Sequence, residues 1–375
     1  MFDHKDPYGN LNEEYSLQEK IRYLHTTIRS QHPTICRIAV ALYEPDTDLL
    51  TTFIYSSDAP SPLNNYQARL SDCGSLLAII EKGQPRVVND MELFADGEHE
   101  HTQILRATDF RASYTLPLYA EGHFLGFLFF NADQKDVFTE NVLCELDMVG
   151  HLIAFMLFNA HSKIQTLLAT VRSARSFSNH RDPETGQHLE RMAHYSKIIA
   201  RQLAKKYRFS DDTIEHIFLF APLHDIGKLS IPDNILLKPG KLTGEEAEIM
   251  RGHATKGREM IDHLLANYGL EGIEYVHILK NITLHHHEAY DGSGYPQNLR
   301  QQDIPIEARI IAVADVFDAL TSVRPYKPAW SNDEAFNELR ELAGKKLDAE
   351  CVEALISNRG EVERIQHLFR ENAFG

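Results

Sequence analysis

The chain has 375 residues, with 54 acidic against 38 basic side chains and a formal net charge of -16. That length predicts two or three domains, each able to bury its own core. The acidic balance excludes polymeric nucleic acid as a partner, since a phosphate backbone needs a basic footprint, but not a dinucleotide held in a local cationic pocket. In chain order, residues 17–28 read as an amphipathic helix and 35–43 as a strand. A turn at 45–48 leads to a second strand over 50–55. Residues 112–119 and 124–130 form a hairpin pattern around Ala-Glu-Gly-His at 120–123. His99 and His101 lie in a run that reads as a solvated acidic loop.

Residues 139–178 read as one long helix joining two halves. Leu146, Ile153, Ala160 and Leu167 recur every seven residues, with Val149, Met156, Ile164 and Val171 between or beyond them. That spacing predicts a parallel coiled-coil seam and a homodimer, against the plainer alternative of a helix packed on its own domain. The apolar run 152–158 is too short to span a bilayer, and the polar, charged start argues against a signal peptide. Cys36, Cys73, Cys144 and Cys351 show no paired spacing, which fits small buried side chains in a reducing compartment. A cytoplasmic protein without a membrane segment is the expectation.

The second half carries the chemistry. His224 and Asp225 lie in Leu-His-Asp-Ile-Gly-Lys, and about sixty residues on comes His286-His287-Glu288-Ala-Tyr-Asp291-Gly292-Ser-Gly294-Tyr295-Pro296. Glu184 and His188 stand four apart, one above the other on a helix. His253 and Asp315 complete eight candidate ligands, all imidazole or carboxylate. The set suits iron or manganese and tolerates zinc, nickel or cobalt. Eight ligands exceed the needs of one ion, so two or three divalent ions are expected, with Asp225 as the natural bridge. Two ions about 3.5–4 Å apart polarise a phosphodiester and activate a shared water.

Charge developing on the phosphate needs cations. Lys228 follows Asp225 by three residues, and Arg324 and Lys327 are further candidates. Asp225 and Lys228 are therefore the expected catalytic residues. Glu288 is expected to orient a histidine from behind, and Asp291 and Asp318 to act similarly. His285 leaves the register of the histidine pair open; His286 and His287 are preferred because they directly precede Glu288. Gly292 and Gly294 let the backbone approach a ligand closely, Tyr295 offers a stacking ring, and Pro296 stiffens the exit. His180, His194, His263 and His277 read as structural.

These motifs resemble the HD-GYP branch of the HD-domain phosphohydrolases over roughly residues 165–360. The resemblance implies an all-α helical bundle that hydrolyses cyclic di-GMP to pGpG or onward to GMP. It also implies ligand roles for His188, His224, Asp225, His253, His286, His287 and Asp315, with Glu184 serving a third ion. Gly292, Gly294, Tyr295, Pro296, Lys228, Arg324 and Lys327 are the expected substrate contacts. One departure is extra length around 267–274, which has room to lean over the cleft. Alternatives are another cyclic dinucleotide as substrate, or a non-catalytic receptor.

The first half resembles a GAF domain, an α+β fold with an antiparallel sheet and flanking helices, chiefly through its late strand pair and Gly126. Such a domain implies a sensor or dimerisation role with an unidentified small ligand; Cys73 reads as buried filler. The expected organisation is 1–155 GAF-like, 139–178 linker helix and 165–375 catalytic, with the first half regulating the second.

Overall fold

The structure, a computed structural model, describes residues 4, 6–58, 66–94, 109–177, 186–270, 272, 274–322 and 329–370. It divides into two compact units, Met1–Ser162 and Lys163–Gly375.

In the first unit, α1 (Leu17–Gln31) begins at a capping box. The Ser16 hydroxyl accepts from the Glu19 amide, and the Glu19 carboxylate accepts from the Ser16 amide. Six antiparallel strands follow: β1 (Ile35–Glu44), β2 (Leu49–Ser57), β3 (Gln67–Arg69), β4 (Arg86–Val88), β5 (Ala112–Ala120) and β6 (His123–Ala132). Their spatial order is β3-β2-β1-β6-β5-β4. Both predicted strand pairs are present. The stretch between them, which periodicity left unassigned, supplies β3, β4 and α2 (Gly74–Lys82), pieces too short to show a period.

Alternation along the strands separates two cores. One face packs Ile38, Val40, Tyr114 and Phe130 against Ile21 and Leu24 of α1. The opposite face packs Ala41, Leu50 and Phe127 against Leu76 and Ile79 of α2. Gly126 has φ +145°, and a Cβ there would lie 2.0 Å from the Ala41 carbonyl oxygen, so β6 can cross β1 here only as glycine.

Helix α3 (Glu140–Phe177) contributes to both units in turn. Leu146, Val149, Ile153 and Leu157 are buried in the first core, and Ile164, Leu167, Leu168 and Val171 in the second. The positions expected to form an interchain seam are therefore occupied within the chain, because the same 3.5-residue repeat also suits packing on a sheet or bundle. Among the described side chains of α3, Met148 and Phe155 are the large apolar ones left exposed, at 68% and 67%. Residues Glu140–Val171 are long and apolar enough, by length and composition, to cross a membrane. The run 152–158 understated this, since moderately apolar residues on either side extend it. Cys73 and Cys351 are buried, but Cys36 is half-buried and Cys144 exposed, so burial does not account for all four.

The second unit is helical: α4 (Gly186–Tyr207), α5 (Asp211–Phe220), α6 (Asp233–Leu236), α7 (Gly244–Arg251), α8 (His253–Tyr268), α9 (Val276–His285), α10 (Ile306–Thr321), α11 (Asn332–Leu342), α12 (Ala349–Ile356) and α13 (Arg359–Leu368). Helix α10 runs through the centre, with Ile310, Ile311, Val313, Ala314 and Phe317 fully buried. The longer α8–α9 connection packs Leu270 into the core and Tyr275 against His216 of α5, ring centroids 4.5 Å apart.

Candidate metal centre

His224 and Asp225 sit where two 3-10 turns meet, Ala221–Leu223 and Ile226–Ser230. Asp225 leaves helical geometry at φ -102°, ψ 17°, a sparsely populated region favoured in active sites. Adjacent side chains, which would diverge on a helix, therefore converge: His224 Nε2 lies 3.0 Å from Asp225 Oδ2. Gly227 makes the next approach possible. A Cβ there would lie 1.9 Å from the His253 carbonyl oxygen. The turn thus rests directly on the start of α8, which delivers His253.

Two groups of ligand atoms result. Asp225, His253, His286 and His287 form one, and His188, His224 and Asp315 the other; within each, the atoms lie within 4.8 Å of one another. Asp225 faces both. Its Oδ1 is 3.0 Å from His253 Nε2 and 3.4 Å from His286 Nε2, while Oδ2 faces His224.

Backbone carbonyls fix the imidazoles. The Nδ1 of His224, His253 and His286 donates to Ala221 O, Met250 O and Ile282 O, at 3.0, 2.7 and 3.0 Å. That tautomer leaves Nε2 as a lone pair aimed inward. His253 Nε2 and His286 Nε2 then face each other at 3.3 Å, an opposition of lone pairs that a shared cation relieves. The donor set and this opposition fit divalent metal ions.

Charge states agree with that fit. Burial pushes His286 and His287 down, the latter well below the usual imidazole range, which keeps them neutral as ligation requires. Burial pushes Asp225 up, but Lys228 and His224 outweigh it, and the carboxyl is held well below its usual range. The Lys228 Nζ lies 2.7 Å from Asp225 Oδ2.

Behind His188, Asp318 accepts from Nδ1 at 2.7 Å. Arg191 grips the same carboxylate through Nε at 2.7 Å and Nη2 at 2.9 Å. Burial raises the Asp318 pKa, but the His188 and Arg191 hydrogen bonds prevail and lower it. Arg191 was not among the sequence candidates. Its position three residues after His188, on one helix face, was the available signal.

The segment after His287 folds back on the site. Gly294 has no room for a side chain: a Cβ would lie 2.1 Å from the Ala289 amide nitrogen and 2.5 Å from the His287 carbonyl oxygen. Gly292 adopts φ +78° beside the Arg300 side chain. The Tyr295 amide donates to His287 O at 3.2 Å, and its ring lies 4.9 Å from that of His287. Arg251 covers the Tyr295 ring at 5.7 Å, and Pro296 follows through a cis bond.

Glu288, expected to orient a histidine, instead accepts from the Gln297 and Leu299 amides at 2.7 and 3.0 Å and pins this loop. His285 Nδ1 stands 3.9 Å from its carboxylate and lies outside both groups of candidate ligand atoms, whereas His286 and His287 lie in one of them. Asp291 is likewise spent on the loop, accepting from the Ser293 amide at 2.9 Å and pairing with Lys346 at 3.3 Å. Glu184, Arg324 and Lys327 lie outside the described residues.

Each unit matches a family model. Residues 178–351 match the family model of the HD domain, and residues 24–157 that of the GAF domain. The cyclic di-GMP phosphodiesterase response regulator RpfG of Xanthomonas campestris is 45% identical over 186 residues, 50% of this chain and 46% of its own. The 3'3'-cGAMP-specific phosphodiesterase 2 of Vibrio cholerae is 39% identical over 178 residues, 48% of this chain and 32% of its own. The match thus spans under half the length of either relative. A solved GAF domain, from a phosphoenolpyruvate-protein phosphotransferase of Coxiella burnetii, covers 42% of this chain and 91% of its own at 14% identity and TM-score 0.35. The first unit is thus similar to GAF domains over residues 24–157 and the second to HD domains over residues 178–351.

Proposed function

We propose that this chain is a metal-dependent phosphodiesterase of cyclic dinucleotides that opens cyclic di-GMP to pGpG and carries it onward to GMP. The observation that carries this reading is Asp225, one carboxylate with an oxygen toward each of two histidine groups. His253, His286, His287 and Asp225 would hold one divalent ion, and His188, His224 and Asp315 a second, iron or manganese by ligand type. Such a pair supplies Lewis acidity at a phosphoryl oxygen and a nucleophile at neutral pH.

The protein's own groups do the rest. Asp225 stays ionised and fixes the spacing of the two groups. Lys228, once a phosphate competes for it, offers an ammonium beside the reacting phosphorus and offsets developing charge. Tyr295, backed by His287 and Arg251, presents a ring on which a guanine can stack. Glu288 and Asp291 keep that loop in place without touching substrate. Arg324 and Lys327 are proposed phosphate contacts on their sequence position alone, and Glu184 a ligand of a third ion. The GAF domain is proposed to regulate the site.

A second reading follows from the 3'3'-cGAMP-specific relative: the substrate is the mixed cyclic dinucleotide. Chromatography of products from cyclic di-GMP and 3'3'-cGAMP, offered separately and in competition to the metal-loaded chain, separates the two. Preferred cleavage of cyclic di-GMP supports the first reading and preferred cleavage of 3'3'-cGAMP the second. Cleavage of neither, with iron and manganese both tried under reducing conditions, defeats both.

A further inference from the structure

The GAF sheet buries a positive charge that has no carboxylate partner among the described residues. Arg37 of β1 is 2% exposed. Its Nη1 donates to Asn131 Oδ1 of β6 at 2.9 Å, and Asn131 Nδ2 in turn donates to Ser113 Oγ of β5 at 3.2 Å. These three residues are register partners across adjacent strands, so they form one row on the face away from α1. Arg37 Nε has no hydrogen-bond partner, and no carboxylate among the described residues pairs with the guanidinium. Burial pushes it down to about 10, so it is still charged at neutral pH.

The adjacent row repeats the pattern. It runs Phe129, Thr115, Arg86 across β6, β5 and β4. The Thr115 hydroxyl is buried without a partner, and so is Arg86 Nε. Arg86 donates from Nη1 to the Ser75 carbonyl oxygen at 3.3 Å, and it too has no carboxylate partner among the described residues. Phe110 lies beside Arg37, its ring centre 5.9 Å from the guanidinium carbon. Two guanidinium groups, an amide, two hydroxyls and flanking phenyl rings thus share one sheet face.

We propose that this face of the GAF domain binds a small organic anion, with Arg37 as its principal partner. A buried cation is costly unless paired and hydrogen-bonded, and the planar guanidinium fork matches a carboxylate or phosphate. The phenyl rings favour a carbon skeleton over a bare inorganic ion. Asn131 holds the fork in place, and the Ser113 and Thr115 hydroxyls are free to turn toward the remaining oxygens.

The test is thermal unfolding of the full chain with benzoate, succinate or inorganic phosphate, each against chloride at matched ionic strength. Saturating anion should raise the midpoint by about 4 °C or more. The organic acids should exceed phosphate if the rings contribute. Arg37→Met should remove the response while folding at least as stably as the wild type without anion, because it deletes an unpaired buried charge. If that variant fails to fold, Arg37→Lys should fold and keep a weaker response. No rise over chloride with any of the three, or an equal rise in Arg37→Met, overturns the proposal.

Discussion

Asp225 and the residues around it act through position as much as through chemistry. Asp225→Asn keeps the volume but removes the charge facing both histidine groups. It should cost about 100-fold or more in metal affinity and abolish turnover, as read by metal analysis after dialysis. Lys228→Ala should leave metal content unchanged and slow hydrolysis by roughly 100-fold. Collapse of metal content would instead make Lys228 a structural partner of Asp225.

A different histidine predicts a pH effect. His216 lies 3.1 Å from the Asp212 carboxylate. Burial lowers its pKa, but the Asp212 hydrogen bond and charge prevail, and the folded value is raised. Its stabilisation is therefore complete below the unfolded value of about 6.5 and is lost as pH rises through the higher folded value. Denaturant titrations of His216→Gln against the wild type should differ more at roughly pH 6 than at roughly pH 9.

At the scale of elements, the short turns decide the site. Gly227 and Gly257 meet where the turn crosses α8, with a Cβ on Gly257 lying 3.1 Å from the Gly227 amide nitrogen. Gly227→Ala should destabilise the HD domain by roughly 1–3 kcal/mol, measured by chemical denaturation, and displace His253. The same substitution at an exposed, open position such as Gly186 should leave His253 and the ligands in place.

Which parts were readable from the sequence follows from these elements. The long strands and amphipathic helices announce themselves by period. His224, Asp225, His286 and His287 announce themselves because adjacent residues of metal-ligating type beside glycine and lysine form a distinctive pattern. The 3-10 junction at Asp225 was not readable, because two short turns have no period and look like one helix. Glu288 was misassigned for a related reason: its acceptors' partners, the Gln297 and Leu299 amides, are backbone groups that leave no trace in residue type. Arg191 was passed over because a basic residue on a helix ordinarily faces water, and only the fold buries it on Asp318.

For the whole molecule, the acidic balance and the cationic site coexist because charge is distributed locally. Helix α3 is the one element shared between the two units, and its inward positions are already filled. Among the described side chains of α3, Met148 and Phe155 are the large apolar ones left exposed for a homodimer contact. Met148→Glu with Phe155→Glu should convert such a dimer to monomer in light scattering; an unchanged mass would remove α3 from the interface.

Whether Asp225 and the two histidine groups would hold the at least two ions needed for hydrolysis is decided by metal titration. The chain is stripped with chelator and reloaded anaerobically with manganese or iron, and cyclic di-GMP hydrolysis is followed against ions bound per chain. Turnover should be absent before metal, small with one ion, and should rise steeply as the second binds. Full activity after stripping, or a plateau at a single ion, would contradict a two-ion centre.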